Sequence, residues 1–332
     1  MKAFIFRRIG IVIPLLFLIS VISFVIILLP PGSYVETYVQ NLEERGFAMD
    51  DGQIEALYRQ YGLDRHPVAQ YLVWMKNFLL KGEMGRSFIY NRPVTDIILE
   101  RLPMSITITF VSLLVTWIIA IPIGIFSALR QYSIGDYFAT TLGFIGLALP
   151  NFLLALGLAY FVFVGTGHAI TGLFSFEFKN APWSLARWID LLKNVWLPVL
   201  VIAVAGTAAL IRILRATLLD EIKKQYVTTA RAKGMRENQL ILKYPVRMAI
   251  NPLVSTIGWT LPFIVSGEII VSQVLGLETL GPVLLAAALG EDMFLVGSIV
   301  MILSALTVIG TLLSDILLAW VDPRIRFERT TG

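Results

Sequence analysis

The sequence predicts an all-α integral membrane protein with six transmembrane helices and a small helical extracytoplasmic insertion after the first helix. Three observations predict it. Of 332 residues, 57% are hydrophobic and 15% charged, with a mean hydropathy of +0.76; globular chains are less apolar and carry roughly 25% charge. The runs 9–35, 102–129, 137–176, 194–211, 248–267 and 293–314 hold no Asp, Glu, Lys or Arg. The cations gather between these runs.

The net charge of +4 therefore reads as topology and not as nucleic-acid affinity. There is no cysteine, which excludes disulfides, thiolate metal sites and Cys nucleophiles. The two histidines, His66 and His168, are too few for a histidine-rich metal site.

A helix needs roughly 20 apolar residues to cross about 30 Å of hydrocarbon. The spans are then 9–29, 103–129, 137–164, 195–215, 252–274 and 293–320. Residues 1–30 read as an uncleaved signal-anchor helix, because the apolar run is long and no A-x-A site follows Pro30-Pro31-Gly32. Residues 31–102 read as an extracytoplasmic helical segment. Asp50-Asp51 offers an N-cap to a helix over 53–61, and Gly62 a stop. Pro67 suits the first turn of a second helix, which Gly82 ends. Tyr71, Leu72, Met75, Phe78 and Leu79 recur on one face of it. This segment is read as a cap on the membrane domain, compatible with docking a soluble partner.

In the third run, Gly165-Thr166-Gly167-His168 ends the helix near Val164. Residues 103–320 are read as a five-helix core with a polar loop at 216–250, and 321–332 as a tail.

Orientation follows from the cations. Lys2, Arg7 and Arg8 start the chain, and Arg324, Arg326 and Arg329 end it. The loop carries Arg212, Arg215, Lys223, Lys224, Arg231, Lys233, Arg236, Lys243 and Arg247. Six spans put all three groups on one side, which basic loops mark as the cytoplasm. Residues 30–102, 165–194 and a short 275–292 loop face outward.

Ionisable groups inside spans are functional candidates. Glu268 and Asp315 lie near span ends, where headgroup water or a neighbouring helix can satisfy them. Prolines 14, 122, 150, 198, 252 and 262 interrupt the spans. Asn151 follows Pro150 within the third span, so an amide beside a break could line a path. No phosphate-binding GxxxxGK[ST] loop, HExxH or GxSxG is present. The basic loop, Tyr226-Val227-Thr228-Thr229-Ala230-Arg231-Ala232-Lys233-Gly234-Met235, puts small residues beside cations and suits docking into another protein.

These residues carry a resemblance. The 226–252 loop resembles the cytoplasmic EAA motif of ABC importer permeases, in the T-A-R-A-K-G form of the B-type permease subunit of oligopeptide/dipeptide importers. Thr228-Thr229-Ala230 stand at the EAA position and Gly234 at its glycine. Lys243 to Pro252 resemble the second half, with Tyr244 for the usual histidine and Met248 for the asparagine. Tyr61-Gly62-Leu63-Asp64, Gly85-Arg86-Ser87, Arg101-Leu102-Pro103 and Asp322-Pro323-Arg324-Ile325-Arg326 also match. Val271 to Gly281 departs from the family's pattern.

The resemblance implies a type I ABC importer permease fold in a bacterial or archaeal cytoplasmic membrane. It implies a second homologous permease subunit, two cytoplasmic ATPase subunits and an extracytoplasmic substrate-binding protein as partners. The chain would bind no cofactor, with ATP and Mg used by the ATPase subunits. Thr228, Thr229, Ala230, Arg231, Lys233 and Gly234 would couple to those subunits through a helix at about 224–238. Asn151 is a candidate lining residue, with Ser272 and Gln273 near the outer mouth. Oligopeptides are the first substrate expectation; oligosaccharides or another solute are the second. An ion-coupled carrier or channel working alone is a third function.

The topology is directly testable, because introduced cysteines have no native competitors. An impermeant maleimide on intact spheroplasts is expected to label Asp51→Cys and to spare Lys233→Cys; the reverse pattern refutes the orientation.

Overall fold

The structure, a computed structural model, describes residues 2–28, 35–36, 39–40, 43, 46–47, 50–61, 66–87, 89–168, 170–179, 181–255 and 269–321. Gly62, Pro262, Glu268 and the 322–326 tail motif lie outside them. The described elements are α1 (Lys2–Leu28), α2 (Asp51–Tyr61), α3 (Pro67–Lys81), β1 (Arg86–Ser87), β2 (Arg92–Pro93), α4 (Val94–Leu129), α5 (Ile134–Ala148) and α6 (Asn151–Thr166). Then come α7 (Leu185–Ile222), α8 (Gln225–Ala232), α9 (Glu237–Lys243), α10 (Pro245–Ala249), α11 (Ile269–Leu275), α12 (Leu280–Leu289) and α13 (Met293–Val321).

Among the described residues, three helices are long and apolar enough to cross a membrane alone: Arg8–Leu28, Val94–Leu129 and Met293–Ala319. Three more crossings result if the bent or broken runs α5–α6, α7 and α11–α12 each count as one, giving up to six among the described residues. The helices overrun the apolar runs. At about 1.5 Å per residue, the 36 residues of α4 and the 38 of α7 far exceed the hydrocarbon thickness. The expected start of α4 at 103 moves to Val94, because the added turns bury Val94, Ile97 and Ile98 on one face while Asp96 and Glu100 stay exposed on the other. Arg92, just before α4, pairs with Glu100 at 3.1 Å.

The expected single helix over 137–164 is two helices, with axes 107° apart. The cause is local. A proline pushes its predecessor out of the helical region, and Leu149 is extended, at φ −79° and ψ 125°. Pro150, at ψ 137°, then starts α6. The expected 275–292 loop is also corrected, since 280–289 is helical. Leu280, Val283 and Ala287 are buried, so this stretch earns its helix by packing.

The chain divides into two compact units. One comprises Gly10–Pro103 and Thr279–Leu306. Its core gathers Phe24, Ile27, Trp74, Val94, Ile98, Leu280, Phe294, Leu295 and Ile299. Asp50 caps α2, its carboxylate accepting from Gln53 N at 2.7 Å. Pro67 opens α3 after His66, and Gly82 closes it at φ +68°. The buried face of α3 is Gln70 and Trp74, flanked by Tyr71, Met75 and Phe78. Leu72 and Leu79 are exposed, which corrects the expected stripe. Trp74 rotates the face toward itself, meeting Phe24 at 5.7 Å and Phe78 at 6.1 Å between ring centroids. Tyr71 OH and Ser20 Oγ share a hydrogen bond of 2.8 Å. The fully buried Asp292 accepts from Ser87 Oγ at 2.5 Å and Ile89 N at 3.3 Å. That contact gives Gly85-Arg86-Ser87 a structural meaning.

The other unit comprises Met1–Ile9, Met104–Glu278 and Thr307–Gly332. Asp315 pairs with Arg8 at 3.0 Å, the neighbouring-helix solution expected for it. Polar ties hold the described residues of the 165–194 segment. Asp190 accepts from Ser175 N at 2.8 Å and from its hydroxyl at 2.5 Å. The Arg187 guanidinium lies 4.5 Å from both the Phe174 and Trp183 rings. Gly172 N donates to Leu275 O at 2.8 Å, and Lys179 pairs with Glu278 at 2.7 Å. The segment that departs from the family pattern is thus tied to Gly172 and Lys179.

Helices α5 and α7 meet along a seam of small residues. A Cβ on Gly146 would lie 2.8 Å from Val204 Cγ1, and one on Gly143 3.7 Å from Ala208 Cβ. Gly146→Leu is therefore expected to destabilise the protein by about 1–3 kcal/mol, seen as a lower unfolding temperature in detergent. Val204→Ala in the same chain should recover part of the loss. An unchanged transition in Gly146→Leu would contradict the seam.

Candidate coupling site

Helix α7 ends at Ile222 and a turn at Lys223 and Lys224 leads into α8. Two apolar residues on α8, Val227 and Ala230, stand three apart and so share a face. Both are buried. They enter a core with Leu214, Leu218, Leu240, Ile241, Val246, Ala249 and Leu253, drawn from α7, α9, α10 and the helical residues 251–255 beyond. Thr217 Oγ1 donates to Ala249 O at 3.3 Å, a further tie between α7 and α10. The result is a short helix moored by one face to the end of a long one.

The opposite face is free of the core. Thr228, Thr229, Arg231, Lys233 and Gly234 are exposed. The structure brings all six predicted loop residues together and divides them: Ala230 moors the helix, and the other five face outward. Gly234 has φ +78°, with nothing within 4 Å of a Cβ built on it. The restriction there is conformational, since L side chains disfavour this region by roughly 1–2 kcal/mol.

Two ion contacts set the loop's shape. Arg231 grips Glu237 across the Gly234 turn, with Nε to Oε2 at 3.0 Å and Nη2 to Oε1 at 2.5 Å. That hydrogen bond lowers the Glu237 carboxyl and raises the Arg231 guanidinium from their ordinary pKa values. Both side chains are exposed, so the pair orients the turn more than it stabilises the fold. Tyr226 OH donates to Glu221 Oε2 at 2.5 Å. Burial, then the neighbouring carboxylate, pushes the Tyr226 phenol well above its usual value and keeps it a donor.

The path candidates do not gather at this site. Asn151 is the first residue of α6 and half-buried. Ser272 is fully buried, its carbonyl accepting from Leu277 N at 2.8 Å, and Gln273 is exposed.

Residues 120–327 match the family described as "Binding-protein-dependent transport system inner membrane component". Residues 1–109 match "Binding-prot-dependent transport system membrane comp, N-term". The chain belongs to this family of membrane permeases. The permease is 34% identical to the oligopeptide transport system permease protein AppB of Bacillus subtilis, over 98% of this chain and 100% of that one. It is 30% identical to the peptidoglycan transport system permease protein YejB of Agrobacterium fabrum, over 99% of each. It is 29% identical to the oligopeptide transport system permease protein OppB of Haemophilus influenzae, over 98% and 100%. A solved inward-facing MetNI methionine ABC transporter shares the fold, with a TM-score of 0.53 at 18% identity, covering 68% of this permease and 96% of that chain. The permease is thus a multi-pass transport subunit of a binding-protein-dependent importer.

Sequence reasoning missed one cluster nearby. Asp136 on α5 is buried and pairs with Arg215 on α7. The signal was present in Ser133, whose hydroxyl accepts from Asp136 N at 3.2 Å, an S-x-x-D start to α5.

A maleimide is expected to modify Thr228→Cys and Thr229→Cys in the detergent-solubilised permease while sparing Val227→Cys and Ala230→Cys. Equal labelling at all four would contradict the moored face.

Proposed function

We propose that this permease forms half of the translocation path of an ATP-driven importer for oligopeptides and takes its drive through α8. A second, homologous permease subunit supplies the other half. Two cytoplasmic ATPase subunits grip the exposed face of α8, and an extracytoplasmic binding protein delivers substrate. Both termini and α8 face the cytoplasm in this reading. The observation that carries it is the division of α8 into a moored face and a polar face of threonines and cations. A helix so built can receive a push on one side and pass it on through the other. Closing of the ATPase subunits on ATP then moves α8, and the bundle changes its open side.

Peptide as substrate is supported by the names of two relatives, AppB and OppB. A second reading, glycan-containing solutes, is favoured by the YejB relative. Val271 to Gly281, which departs from the peptide-permease pattern, also bears on it. The permease itself needs only weak contacts with solute, since a tight site would trap it. Asn151 remains the candidate lining residue, with Ser272 and Gln273 near the mouth. Challenging the cognate binding protein with peptide and glycan libraries decides between the two substrates.

The coupling role is tested at Gly234. In the complete importer reconstituted in vesicles, Gly234→Val is expected to preserve membrane level and cut ATP-driven uptake by about tenfold. Native uptake together with native binding-protein-stimulated ATP hydrolysis would sink the docking role of this loop.

A further inference from the structure

Three contacts run in step along α5 and α7. Gly146 faces Val204, Gly143 faces Ala208, and Asp136 faces Arg215. Each step back along α5 is matched by a step forward along α7, as in an antiparallel pair. The last contact differs in kind from the other two. Its side chains are 3% and 28% exposed for Asp136 and Arg215.

The Asp136 carboxylate joins four elements. Oδ1 accepts from Arg215 Nε at 3.1 Å and Oδ2 from Arg215 Nη2 at 2.9 Å, a two-pronged grip. Oδ1 also accepts from the hydroxyls of Ser127, near the end of α4, and Thr140, one turn further along α5. Oδ2 accepts from Tyr132 N in the connecting turn at 2.8 Å. Both oxygens are committed, so neither helix can slide past the other without breaking several charge-assisted bonds at once.

Arg215 stands about two turns before the end of α7. Its neighbours Leu214 and Leu218 are fully buried in the same core as Val227 and Ala230 of α8. In the other direction, α5 runs only to the break at Leu149 and Pro150, where its axis parts from α6 by 107°. A displacement of α8 therefore has a continuous packed route to Arg215, a rigid ionic joint into α4 and α5, and a break beyond.

We infer that Asp136 and Arg215 are positioning residues that clasp the ends of α4 and α5 to the α7–α8 arm, so that these pieces move as one body, and that this body ends at the Leu149–Pro150 break. The inference rests on the proposed role of α8 as the driven element. It adds the joint by which the drive reaches the helices and the place where they bend. A pair that merely satisfied two buried charges would hold the fold without setting the boundary of a moving part.

The test uses the complete importer in lipid vesicles, with partner subunits lacking reactive cysteines. Spin labels go on Gln131→Cys, in the turn after α4, and Gln239→Cys, on α9; both sites are exposed. Their separation is measured without nucleotide and after trapping with ATP and vanadate. With the clasp intact, one narrow separation common to both states is expected. Replacing the ions by apolar residues of similar size, Asp136→Leu with Arg215→Met, removes the joint without leaving a lone buried charge. In that variant the trapped-state separation is expected to shift by several ångströms or to broaden. Arg215→Lys, which keeps the charge and loses the two-pronged grip, is expected to broaden it less. It carries the test if the double variant does not assemble.

A separation that already changes between states in the unsubstituted pair, or variants whose trapped-state separation matches it, would overturn the clasp. Lower thermal stability with unchanged separations would assign the pair a purely structural role and overturn it equally. Gly234→Val, assayed alongside for binding-protein-stimulated ATP hydrolysis and uptake, separates the two failures. Native activity in Gly234→Val sinks the role of α8 itself, whereas uncoupling there with unmoved separations in the clasp variants sinks the clasp alone.

Discussion

A buried charge or a broken backbone must find a partner within the protein, because water does not reach it there. Much of this permease follows from that constraint. Asp315 meets Arg8, and Asp136 meets Arg215. Asp292 caps the start of α13 while holding Ser87, so the connection into the last span is fixed by a buried carboxylate. The sharp change of direction at Leu149 and Pro150 uses a residue with no N–H to lose, and Pro150 O at once accepts from Leu153 and Leu154. Ionic groups therefore sit at joints between elements, and the intervening seams are left to glycine, alanine and branched aliphatics.

A second constraint, helix length, shapes α8. Two positions of α8, Val227 and Ala230, are buried in the core. An eight-residue helix is too short to persist alone in water, so its existence depends on this mooring. The polar face can then be specialised for a partner without endangering the fold. The Arg231–Glu237 pair, exposed and of small energetic consequence, fixes the angle of the Gly234 turn that follows.

Much of this was legible in the sequence. The charge-free runs located the spans that cross unaided, Pro67 and Gly82 bounded α3, and the cations marked the loop that holds α8. Val227 and Ala230, at helical spacing, could have indicated which side is buried. The rest depended on distant partners. Asp136 and Arg215 lie 79 residues apart, so no local window joins them. The start of α4 and both ends of α7 were missed because hydropathy records where a helix lies in hydrocarbon and not how far it runs beyond. The exposure of Leu72 and Leu79 was missed because Trp74, off the expected stripe, decides the rotation of α3. The helix at 280–289 was taken for a loop because a ten-residue apolar stretch is too short to register as a span.

The account depends most on α8 presenting its polar face to the ATPase subunits while its apolar face stays buried. Photo-crosslinking in native membranes reads this directly, with a photoreactive amino acid placed in turn at Thr228, Arg231 and Ala230. The account predicts adducts to an ATPase subunit from Thr228 and Arg231, with any product from Ala230 remaining within the permease. Adducts from Ala230 but not from Thr228, or none to an ATPase subunit from any of the three, would contradict it.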